Sequence, residues 1–131
     1  MVFTLSKQLI RDTIEKKKNN IVNEEIIVKD DNEEKYILKY NKKHINESND
    51  MELGLYRSVV CAIISGKVEV LSFAPPKSLS KNRFMQENEL EKCTQLDFIE
   101  GTMVNVFWDK TADEWNINTK SCIGARCSWN S

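Results

Sequence analysis

At 131 residues, the chain has room for one domain, and a chain of this size buries roughly two-thirds of its unfolded surface, enough for a core of its own. Its 19 Lys and Arg nearly balance its 20 Asp and Glu, leaving a net charge of −1, so no global field draws it to nucleic acid or repels it from it. No apolar run approaches the roughly 18 residues that a membrane span requires.

The opening "MVFTLSKQLIRDTIEKKK" interleaves apolar and charged residues without a small-residue cleavage site, so it is not read as a secretory signal. A cytoplasmic, reducing location is expected, with Cys61, Cys93, Cys122 and Cys127 as thiols. Cys122 and Cys127 have no second close pair, and the only histidine is distant His44, so no metal site is expected from these residues. Leu5, Leu9, Ile10 and Ile14 recur at helical spacing and predict an amphipathic helix from Leu5 to Lys18, broken by Asn19-Asn20.

Glu25–Lys29 and Lys35–Asn41 read as a hairpin around the acidic turn "DDNEE". The loop "NKKHINESND" follows, and Asn49 or Asp50 is suited to cap a short helix through "MELGLYR". The clearest hairpin pairs Ser58–Ile64 with Val68–Phe73 across Ser65-Gly66, and it ends at Pro75-Pro76, which donate no ladder hydrogen bond. "SLSKNRFMQENELEKC" has helical composition, with Ser78 or Ser80 as its cap. Thr102–Asp109 and Glu114–Thr119 form a last strand pair joined by "KTAD". The expected fold is a single α+β domain over residues 1–131: a mostly antiparallel sheet, containing both later strand pairs, with a few packed helices.

Several stretches, taken in order, carry a resemblance: "LYRSVV", "SFAPPKSL", a helical spacer, "IEGTMVNVFWD" and "WNINTKSCIGA". From about Lys39 to Gly124 the chain resembles the amino-terminal half of phage-type ATP-dependent RNA ligases and their relatives in large DNA viruses. These belong to the covalent nucleotidyltransferase superfamily. Glu100-Gly101-Thr102 matches the second half of that family's lysine-x-acid-glycine signature, and Thr119-Lys120-Ser121 matches its later basic segment.

The resemblance implies a partial nucleotidyltransferase fold, ATP and Mg2+ as cofactors if the family function is retained, and nucleotide and RNA as partners. It also implies nucleotide-binding roles for Arg57, Glu100, Gly101 and Lys120. In such enzymes a lysine amine attacks the α-phosphate of the nucleotide, which requires a lowered lysine pKa and cationic support for the phosphates. Phe98 stands where that lysine would be, and it has no lone pair to attack phosphorus. The family's later phosphate-binding motifs lie beyond residue 131. The expectation is therefore a domain defective in covalent transfer: either a fragment that a missing carboxy-terminal region or a protein partner would complete, or a shortened descendant that has lost the ligase reaction.

Each residue also has a plainer reading. Phe98 is expected in the core among Leu96 and Ile99, with stacking on a base as the alternative. Lys77, presented after Pro75-Pro76, is the candidate substitute nucleophile or phosphate contact, against an exposed lysine at a helix entry. Glu100 is either a turn carboxylate or a group holding ribose or metal. Arg57 and Lys120 bind phosphate or pair with local acids. Trp108 and Trp115 are expected to pack as cross-strand neighbours, and an exposed Trp129 would suggest a missing partner surface. The competing functional reading is a non-enzymatic binding module for nucleic acid or protein.

Overall fold

The structure is a computed structural model describing residues 7–15, 22–30 and 33–124; the side chains of Leu9, Glu15 and residues 22–30 are not described. Four strands, β1 (Val22–Asp30), β2 (Glu33–Tyr40), β3 (Val59–Ile64) and β4 (Lys67–Phe73), form an antiparallel sheet in sequential order. The last two, β5 (Val104–Asp109) and β6 (Glu114–Thr119), pair with each other as a second, two-stranded sheet, to which Ile123 adds a single bridge at Asn118. The α+β class is therefore observed, but the single sheet expected from the sequence is divided in two. Periodicity within a strand specifies which face is apolar; it does not specify the neighbour.

Helix α1 (Lys7–Glu15) places Ile10 and Ile14 on one face, four residues apart, and both are buried. The expected extensions to Leu5 and Lys18 lie outside the described residues. A short helix α2 (Asp50–Leu53) runs directly into the 3-10 turn Gly54–Arg57. Asn49 occupies the cap position, but its amide oxygen accepts from the Asn46 backbone N–H instead of the helix. Helix α3 (Lys81–Glu87) is shorter than the helical stretch expected, and a 3-10 turn at Leu90–Lys92 takes up part of the remainder. Its cap is Ser80, whose Oγ accepts from the Arg83 N–H at 3.4 Å. Among the described residues, no helix is long and apolar enough to cross a membrane.

Both faces of the four-stranded sheet are covered. Tyr36 and Leu38 of β2, Val59 and Cys61 of β3, and Val68 of β4 pack with Ile10, Ile14 and Tyr56 on one side. The alternate residues Ile37 and Val60 meet Phe107 of β5 on the other, flanked by Leu71 and Ile123. Burial on both faces explains why β3 is a continuous apolar run, "VVCAII", without polar alternation. Each fully buried aliphatic or aromatic side chain contributes about 1.5–3 kcal/mol of transfer free energy, so Phe107 is a principal anchor of the β5–β6 pair.

Polar contacts fix the hairpin's position further. Lys35 Nζ lies 2.5 Å from Asp109 Oδ2, with both residues almost fully buried. Asn118 Nδ2 donates to Ser58 Oγ at 3.3 Å and to the Thr119 carbonyl at 2.8 Å. Lys110 and Glu69 form a looser exposed pair at 3.5 Å. The β3–β4 turn requires left-handed backbone at both central residues, Ser65 (φ 49°) and Gly66 (φ 74°), which suits the right-handed twist of a two-residue hairpin.

Candidate functional site

Three chain segments bring positive charge to one end of the structure. Strand β2 ends at Lys39 and Tyr40, and the following turn, closed by the His44 N–H donating to the Asn41 carbonyl, carries Lys42. The 3-10 turn ends at Arg57, just before β3, which runs antiparallel to β2 and so begins where β2 finishes. Strand β6 arrives from the other sheet, tied to β3 where Ser58 Oγ donates to the Thr119 carbonyl at 3.5 Å.

Beyond Thr119 the chain reverses within four residues, the Thr119 N–H donating to the Cys122 carbonyl at 2.8 Å. Lys120 occupies the bend. Its ammonium sits 5.1 Å above the centre of the Tyr40 ring, a cation–π contact that holds the side chain over the end of β2. Burial pulls the Lys120 ammonium below the usual lysine range, and the positive charges of Lys42, Arg57 and Lys39 lower it further. Lys39, Lys42, Arg57 and Lys120 make no ion pair with a described residue. Four like charges are thus gathered with no ion pair to a described carboxylate. Such a grouping raises the local positive potential although the whole chain is nearly neutral.

Arg57 also borders an open depression of about 660 Å³. Its other walls are the successive residues Phe98 to Met103, which include Glu100, Gly101 and Thr102. The sequence-identified Arg57, Glu100 and Gly101 therefore do come together. Lys120 adjoins them through Arg57, whose charge acts on it, but does not line the depression. Lys77 does not line it either. Its backbone N–H donates to the Gly54 carbonyl at 2.9 Å and its Nζ to the Ser78 carbonyl at 3.3 Å. A Cβ on Gly54 would come within 3.3 Å of the Lys77 Cβ, so this glycine lets the segment after Pro75-Pro76 press against the 3-10 turn.

Gly101 is different. Its φ is not left-handed, and a Cβ there would meet no described atom within 4 Å. The fold does not require glycine at this point for turning or packing.

Phe98 overturns the expectation of a core aromatic. It is 89% exposed, between Leu96 and Ile99, which are also exposed, and strand β5 begins only at Val104. The apolar spelling "LDFIEGTM" suggested a buried strand entry, but among the described residues no second layer covers this segment. Trp108 and Trp115 do pair across β5 and β6, edge to face at 5.5 Å between ring centres. Trp129 and Cys127 lie outside the described residues, while Cys61, Cys93 and Cys122 are free thiols.

Sequence reasoning missed Lys39 as a member of the basic group and placed Lys42 only in the loop "NKKHINESND". The available signal was positional, since both flank the end of a strand beside Arg57. Comparison with family models, curated proteins and solved structures finds no match to this chain.

Proposed function

We propose that the chain is an RNA-ligase-like domain that binds nucleotide and RNA through the surface of Lys39, Lys42, Arg57 and Lys120, without covalent nucleotide transfer. The observation that carries this reading is the convergence of those four cations at one end of the two sheets, none of them in an ion pair with a described residue. Bringing four positive groups together costs free energy in the free protein, and a phosphate chain offsets that cost on binding. Arg57 suits bidentate phosphate contact, while Lys120 acts as a point charge fixed by Tyr40.

Glu100, which lines the depression beside Arg57, is the residue that would hold Mg2+ together with phosphate oxygens. The motif lysine is replaced by Phe98, and Lys77 stands apart from the depression, so no amine lines it to attack an α-phosphate.

The deciding experiment incubates the protein with labelled ATP or GTP and Mg2+, and measures bound label before and after denaturation. Reversible binding with no label surviving denaturation is expected. Robust lysyl-nucleotide formation would overturn the reading, and its abolition by Lys77→Ala would identify the nucleophile. For a single-stranded RNA, the salt dependence should follow at most four neutralised phosphates. That gives a log–log slope of about −2.8, or about a 50-fold weakening between 50 and 200 mM salt.

A second reading, a protein-binding module, has its own support in the outer face of the β5–β6 pair. There Val104, Val106, Trp108, Trp115 and Ile117 are all substantially exposed.

A further inference from the structure

The depression beside Arg57 differs from the basic surface in one respect: its wall is largely apolar and carries an exposed aromatic ring. Leu96, Phe98 and Ile99 are between 81% and 89% exposed. Isolated exposed apolar residues need no explanation, but three within four positions form a patch. Two of the three, Phe98 and Ile99, line a space of about 660 Å³, within the range of about 300–1,000 Å³ typical of small-ligand sites. Arg57 belongs to this wall and also to the group of cations around Lys120. A phosphate held by the cations would therefore have an aromatic face next to it. Thr102 supplies a hydroxyl along the same wall, suited to a sugar hydroxyl.

We infer that the depression receives an unpaired base stacked on Phe98, with its backbone phosphates against Arg57 and Lys120, so that the protein selects single-stranded over duplex nucleic acid. The inference rests on the reading of the cationic surface as a phosphate site and adds the base. A base within a duplex has both faces covered by its neighbours and cannot stack on a side chain, whereas an unpaired base can. A single ring reads every base through its π-face, so little sequence preference is expected.

The test uses the full chain and a labelled oligouridylate of about ten nucleotides, within the usual range of single-strand site sizes. Binding is followed by fluorescence anisotropy, with a blunt RNA duplex and inorganic polyphosphate as competitors. Phe98→Ala should weaken the oligouridylate about ten-fold, the loss of one stacked base, while polyphosphate affinity stays unchanged. Phe98→Trp should retain or improve binding. Because Phe98 is exposed, neither variant should unfold, and circular dichroism checks this. The inference is overturned if Phe98→Ala binds the oligouridylate like the parent, or if the duplex competes as well as the single strand. In that case a Lys120→Ala variant that still weakens polyphosphate leaves the phosphate-binding reading standing. If the parent chain binds neither probe, both fail.

Discussion

The contact between the two sheets is most sharply tested at Asp109. This carboxylate is 2% exposed and faces Lys35, 6% exposed, at 2.5 Å, and Glu33 Oε1 lies 3.5 Å from the same ammonium. Asp109 Oδ1 also accepts from the Thr111 and Ala112 N–H groups, shaping the β5–β6 turn. Burial alone would push this carboxyl up. The hydrogen bond from Lys35, together with those from Ala112 and Thr111, outweighs burial and holds it below the ordinary aspartate range.

Asp109→Ala removes the partner and leaves Lys35 buried with only the more distant Glu33. Stranding one member of a buried pair costs about 3–5 kcal/mol, and the remaining Glu33 contact places this case near the lower end, about 3 kcal/mol. That is a large fraction of a typical stability of about 5–15 kcal/mol. Replacing both residues in Lys35→Met/Asp109→Leu should cost clearly less than the two single changes added together, because no stranded charge remains. Urea denaturation of the four proteins measures the coupling.

The pH dependence has a definite sign. A carboxyl with a depressed folded pKa contributes its stabilisation fully above the unfolded value near 3.9, and loses it as pH falls through the folded value. The Asp109→Asn protein should therefore show a smaller loss of stability below about pH 4 than the parent. A cost under about 1 kcal/mol for Asp109→Ala, or additive single effects, would refute the view that this pair joins the sheets.

Lys120→Met should weaken polyanion binding and lower the salt slope by about 0.7, while folding stability stays within about 0.5 kcal/mol of the parent or rises. Calorimetric melting beside a salt titration checks both; a large loss of stability would contradict the like-charge repulsion around Lys120. Burial pushes the Cys61 thiol up to about 12, so at pH 8 it should react with a thiol reagent only on unfolding, whereas exposed Cys93 should react in the native state. Mass spectrometry of the labelled peptides distinguishes the two sites. Gly66→Ala forces a side chain into left-handed backbone with φ 74° and should cost about 1 kcal/mol, measured by urea midpoint, although a Cβ there would meet no described atom within 4 Å.

The sequence by itself determined the local pieces. Ser65-Gly66 between two β-branched runs specified the β3–β4 hairpin, since few residues tolerate positive φ at both turn positions. The β5–β6 pair with its facing tryptophans, the α1 stripe of Ile10 and Ile14, and a serine cap at Ser78 or Ser80 were legible for the same reason: each depends on neighbours within a few residues. Only the tertiary structure decided what those pieces face. Whether β5–β6 extends the main sheet or packs across it turns on Phe107 meeting Ile37 and Val60, and on Asp109 meeting a lysine 74 positions away. Neither contact leaves a period in the sequence. The same holds for the candidate site. Arg57, Glu100 and Gly101 were visible as residues of the right type, but Lys39 and Lys42 joined Lys120 only because antiparallel pairing placed the end of β2 beside the start of β3. Phe98 was misread because an apolar spelling records how hydrophobic a segment is; whether another layer covers it is settled by the long-range packing of the chain.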